Sequence, residues 1–68
     1  MNSYSGCLFA QKGIQMDIFP SACKANSHEE AIGMFLKEIK ERCPKEEGYY
    51  NYQVGALLLP KEWLEHEA

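Results

Sequence analysis

The chain has 68 residues, a formal net charge of -3, 46% hydrophobic residues and three cysteines, which makes residues 1–68 one small domain with a small core. Ordering such a chain costs roughly 1.5 kcal/mol per residue, which nearly cancels the gain from burial, so a disulfide, a metal or a second subunit is expected to help hold it. The acidic balance without a basic patch argues against binding to a phosphate backbone, and no apolar run approaches the roughly 20 residues of a membrane span.

Residues 5–12 are apolar and of strand length, Lys12-Gly13 is a turn signal, and residues 14–19 alternate apolar and polar in the period of a half-buried strand. The two runs make a hairpin. With Lys12 and Gly13 as the central turn residues, Cys7 faces Ile18, Phe9 faces Met16 and Gln11 faces Ile14. One face then carries Cys7, Phe9, Ile14, Met16 and Ile18. The other carries Leu8 opposite Asp17 and Ala10 opposite Gln15. Pro20 ends or kinks the second strand because it cannot donate to a ladder, and residues 21–26 connect onward.

Ser27-His28-Glu29-Glu30 has the pattern of a capping box: Ser27 accepts from the Glu30 amide and Glu30 reaches back. Ala31, Ile32, Phe35, Leu36, Ile39 and Cys43 then recur as a helical stripe, and Pro44 stops the helix. Acidic residues at its start and Lys37, Lys40 and Arg42 at its end suit the macrodipole. Residues 45–48 form a polar loop. Residues 49–59 read as a third strand, with Tyr50, Tyr52, Val54, Ala56 and Leu58 on one face. Pro60 ends it, and residues 61–67 read as a short helix holding Trp63 and Leu64.

The expected fold is therefore α+β, a two-layer sandwich of β-β-α-β order plus the short C-terminal helix. The first strand has the least polar centre and takes the middle of a three-stranded antiparallel sheet, order 2-1-3. A parallel third strand beside the second is the alternative. The helix is expected to cover Cys7, Phe9, Met16 and Ile18 together with Tyr52, Val54, Ala56 and Leu58. That leaves Leu8, Ala10, Phe19, Leu57 and Leu59 on the other face, too apolar for solvent. Either the Trp63 segment folds back over it, or a partner does.

The residues able to carry chemistry have plain structural roles as alternatives. Cys7, Cys23 and Cys43 are odd in number, and the N-terminus lacks a basic segment followed by an apolar core, so reduced thiols in the cytosol are expected. His28 and His66 stand alone, without the close ligand pairs of a zinc site. Cys23 sits beside Lys24, which would favour its thiolate, and His28 is the nearest base, but no oxyanion hole or third member accompanies them. The glutamates lack the apolar isolation that raises a carboxylate pKa, and the glycines are scattered singly. Tyr49, Tyr50 and Tyr52 suit an interface as well as a strand, with Tyr49 the one placed for binding.

The stretch of hairpin strand ending in Phe19-Pro20, followed by Ser27-x-x-Glu30-Ala31-Ile32, faintly resembles the N-terminal domain of HicB-type antitoxins. It lacks the glycine-containing segment which those proteins carry between Pro and helix, so the family is not adopted. The layout also looks like small α+β proteins encoded by bacteria, prophages and plasmids.

The resulting expectation is a non-enzymatic cytoplasmic protein without cofactor or metal that binds another protein, itself as a homodimer included, in a regulatory or accessory role. Its contact residues are expected to be Leu8, Phe19, Tyr49, Leu57, Leu59 and Trp63. A nucleic-acid-binding accessory protein is the alternative, resting on Lys37, Lys40, Arg42 and Lys45, with which Glu38, Glu41, Glu46 and Glu47 interleave. A small thiol enzyme ranks third.

Overall fold

The computed structural model describes residues 1–59. Its elements are β1 (Asn2–Lys12), β2 (Gln15–Ala25), α1 (His28–Arg42) and β3 (Tyr50–Leu58), with a single 3-10 turn over Lys45–Glu47. The strands form one antiparallel sheet in the order β2-β1-β3, and α1 packs on one face of it. This is the expected α+β arrangement. The short helix expected over residues 61–67, with Trp63, lies outside the described residues.

The hairpin turns one residue later than expected. Gly13 has φ 62° and Ile14 does not share a positive φ, the signature of a two-residue turn with glycine at its first central position. Lys12 therefore pairs with Gln15, Phe9 with Ile18 and Cys7 with Pro20. The slide keeps the parity of the pairing, so the same side chains still share a face. β2 also runs straight through Pro20 to Ala25. As an outer strand it can turn the position without an N–H away from the ladder.

Ser27 is extended (φ -148°, ψ 163°), and its hydroxyl accepts from the Glu30 amide at 3.1 Å, fixing the start of α1. The return bond from Glu30 is not made. At the other end the Cys43 amide donates to the Ile39 carbonyl, and the Tyr52 hydroxyl donates to the Cys43 carbonyl at 2.6 Å. That bond satisfies a carbonyl the helix leaves over and ties its end to β3. Near the start of β3 the pairing with β1 is shifted by a bulge between Phe9 and Gln11. Asn51 sits there at φ 54°, a conformation asparagine tolerates, and its amide donates to the Gln11 side chain at 3.1 Å.

The core is made by Tyr4, Leu8 and Ala10 of β1, Ala25 of β2, and Ala31, Phe35, Ile39 and Cys43 of the helix and its cap. Full burial of a side chain such as Phe35, Leu8 or Ile39 contributes about 1.5–3 kcal/mol. Phe19, Cys23, Tyr49, Tyr52, Val54 and Ala56 pack around them. The helix thus covers the β1 and β2 face opposite to the expected one. Leu8 and Ala10 are fully buried under it, whereas Met16 and Ile18 are exposed.

Glycine decides the face. A Cβ at Gly6 would lie 2.6 Å from Cζ of Phe35, so only a residue without one lets the Phe35 ring settle on β1. Ala10, Ala25 and Ala31 keep the same layer thin. Gln15 and Asp17 share this face, yet they do not sit beneath the helix. Fifteen helical residues span about 22 Å, against about 36 Å for an eleven-residue strand, so the hairpin tip projects beyond α1.

Candidate functional site

Cys23 is the first candidate the structure reorders. It lies on the helix side of β2, while its neighbour Lys24 points to the opposite face. Partial burial, followed by the carboxylates of Glu38 and Glu30, pushes its thiol pKa up. The thiolate that Lys24 was expected to favour is instead disfavoured. His28 is not placed as its base: the imidazole meets the Tyr4 ring edge to face, with centroids 5.9 Å apart. The Cys43 thiol is pushed up as well, chiefly by burial and by Asp17. All three cysteines are free thiols. Among the described residues no group of three His, Cys, Asp or Glu side chains could hold a metal ion, and no helix is long and apolar enough to cross a membrane.

Tyr49 anchors a polar cluster at the hairpin end. Its hydroxyl donates to Asp17 at 2.7 Å, Gln15 donates to the other Asp17 oxygen at 2.8 Å, and the Lys12 ammonium lies 5.3 Å from the Tyr49 ring centre. Accepting these two bonds holds the Asp17 carboxyl below its ordinary range. The same bond to Asp17 raises the Tyr49 phenol to about 12. Tyr49 is thereby committed to joining β2 to the entry of β3.

Of the basic residues near the helix end, Arg42 is similarly engaged. Arg42 pairs with Glu38 at 3.1 Å and its guanidinium lies 5.3 Å over the Phe19 ring, while Glu38 also accepts from Ser21 at 2.7 Å. Lys40 and Lys45 line a shallow open hollow with Pro44, Glu46 and Tyr52. Glu41, Glu46 and Glu47 interleave with these lysines in the sequence.

Among the described residues, none packs over the sheet face away from α1. The pairing places Cys7 and Phe9 of β1, Met16, Ile18, Pro20 and Ala22 of β2, and Gln53, Gly55 and Leu57 of β3 together on it. Met16 is 50% exposed, Ile18 58% and Leu57 63%. Ile14 extends the patch from the turn and is fully exposed. Among the described residues of this face Lys24 is the one charged side chain, in a chain with seven basic and ten acidic residues. A hollow of about 190 Å³ opens over Gly55, lined by Cys7, Phe9, Gln53 and Val54.

Of the contact residues expected from sequence, Leu57 lies on this face and Leu59 adjoins it, its amide donating to the Ser3 carbonyl at 2.9 Å. Leu8 and Phe19 belong to the opposite face: Leu8 is fully buried under α1, and Phe19 is half-buried beneath Arg42. Tyr49 serves the Asp17 cluster, and Trp63 lies outside the described residues. The apolar pattern of the sequence favours Cys7, Phe9, Met16 and Ile18 for the core instead. Gly6 was the signal that could have corrected this, since a glycine in mid-strand marks the close approach of another group. Comparison of the chain with protein-family models, with curated proteins and with solved structures finds no match.

Proposed function

We propose that this protein is a non-catalytic protein-binding module of the reducing cytosol, and that it binds through the sheet face left open by α1. The observation that supports this is the composition of that face. Met16, Ile18 and Leu57 stand exposed around Cys7 and Phe9, with Lys24 as the one charge among the described residues. Contiguous apolar surface of this kind on a small protein is characteristic of interaction sites. The chemistry suits a partner surface that is mostly apolar, because charged groups away from Lys24 would lose hydration there without gaining a counter-ion.

Two further observations favour binding over catalysis. The Cys23 thiol is turned beneath the helix near two glutamates. The Tyr49 hydroxyl is held by Asp17. Free thiols at all three cysteines are consistent with a reducing compartment.

The test uses a polarity-sensitive apolar dye and partner capture from a lysate of the native source. Wild type should bind the dye and retain a partner that Ile18→Glu and Leu57→Glu both lose, with unchanged circular dichroism. Equal dye binding and equal retention in all three proteins would refute the reading. A nucleic-acid role would instead show binding that weakens steeply with salt and depends on Lys40 and Lys45.

A further inference from the structure

We infer that the partner of the open face is a second copy of this chain, packed sheet to sheet about a two-fold axis that runs along β1. The inference rests on the protein-binding reading above and adds the identity and orientation of the occupant.

Shape supports it first. β2 presents a ridge on this face, formed by Ile18 and Pro20, both exposed. β3 presents the complementary hollow, where a Cβ added to Gly55 would meet nothing within 4 Å. Ridge and hollow flank β1 at matching levels, since Ile18 and Gln53 both pair with Phe9, and Pro20 and Gly55 both pair with Cys7. Rotation by half a turn about an axis along β1 lays β2 of one copy over β3 of the other. It brings Ile18 and Pro20 onto Gln53 and Gly55, and does so twice. An interface between identical copies needs a patch that is its own complement, which this one is.

Charge supports it next. Two copies of a chain with net charge -3 repel wherever their charged surfaces meet. Among the described residues the charges other than Lys24 lie on the helix, the loops and the helix side of the sheet, so the open face is where two copies can meet with the least opposition. Area is sufficient as well. Strands of 11, 11 and 9 residues at about 3.3 Å per residue, spaced about 4.8 Å apart, give a footprint of roughly 500 Å² per copy and roughly 1,000 Å² per pair. That reaches the lower limit of about 1,000 Å² for a specific interface, the size class of weak association.

Sedimentation equilibrium of the full chain across low to high micromolar concentrations tests this. Wild type is expected to pass from monomer to dimer, and Ile18→Glu, which places two carboxylates in the interface, to weaken the dimer by about 10-fold or more. Leu57→Glu on β3 gives the same result by an independent route, and circular dichroism shows that each variant is folded. A dimer that survives both substitutions overturns the proposal and places the contact at a strand edge or on the helix. A wild type that remains monomeric overturns it too. In that case, dye binding that is lost on Ile18→Glu leaves the open face as a site for another protein. Dye binding indifferent to the substitution removes the protein-binding reading as well.

Discussion

Gly6→Ala probes the choice of covered face most sharply. The added Cβ would lie 2.6 Å from Cζ of Phe35 and 2.7 Å from both Cε atoms, with the ring fully buried and unable to swing into solvent. Either the helix lifts or Phe35 leaves its rotamer, and overpacking of this kind costs about 1–3 kcal/mol. Alanine also restrains the unfolded chain and returns about 0.5–1 kcal/mol in a strand. The net loss is up to about 2.5 kcal/mol and centres on about 1 kcal/mol, a factor of roughly 5 in the folding equilibrium. Urea unfolding followed by circular dichroism reads this as a lower midpoint at unchanged slope. The cause is isolated by repeating the substitution in a Phe35→Leu background, where the ring is gone and Gly6→Ala should lose most of its penalty. Increased stability from Gly6→Ala in the wild-type background, or the same effect in the Phe35→Leu background, would refute the packing described.

Three further outcomes follow from the same structure. Gly33→Ala adds a Cβ that meets nothing within 4 Å on α1 and should raise stability by about 1 kcal/mol in urea unfolding. Tyr49→Phe removes the bond to Asp17 and should change both pH limbs of stability. The raised phenol pKa contributes stability below pH 10 that is lost as pH climbs towards about 12, and the lowered Asp17 pKa contributes stability above 3.8 that is lost in acid. Thermal unfolding across pH should therefore flatten at the alkaline end and only in part at the acid end, where Gln15 still holds the Asp17 carboxyl down, and identical profiles would exclude the bond. Ile18→Glu, at a side chain 58% exposed in the isolated chain, should cost the monomer no more than about 1 kcal/mol at low concentration, measured by urea unfolding.

The order of elements was legible because each is announced by local chemistry. Ser27 with Glu30 starts the helix, Pro44 closes it, and the uncharged centre of β1 marks the middle strand. The pairing parity of the hairpin was legible too, because the period-2 alternation of residues 14–19 sets it. The choice between its two faces was not. Counting apolar residues favours Cys7, Phe9, Met16 and Ile18 for burial, since Asp17 and Gln15 dilute the other side. Burial follows the space available for a helix as well as hydrophobicity. Gly6, Ala10 and Ala25 supply that space, while at the hairpin end Gln15 stays exposed and Asp17 is half-buried against Tyr49. The candidate surface moved with the face, which is why Leu8 and Phe19 left it, while Leu57 kept its place on an open side. Pro20 misled for a related reason: it breaks a central strand, but β2 is an outer one.

The central claim is that α1 covers the Leu8 face and leaves the Cys7 face open. Maleimide labelling of the native protein at submicromolar concentration, resolved by peptide mass spectrometry, tests it directly. Cys7 should react fastest, Cys23 more slowly because burial and neighbouring carboxylates hold it as the thiol, and Cys43 should react only on unfolding. Protection of Cys7 in the dilute monomer, with Cys23 reacting ahead of it, would show that the helix lies on the other face and would contradict the account.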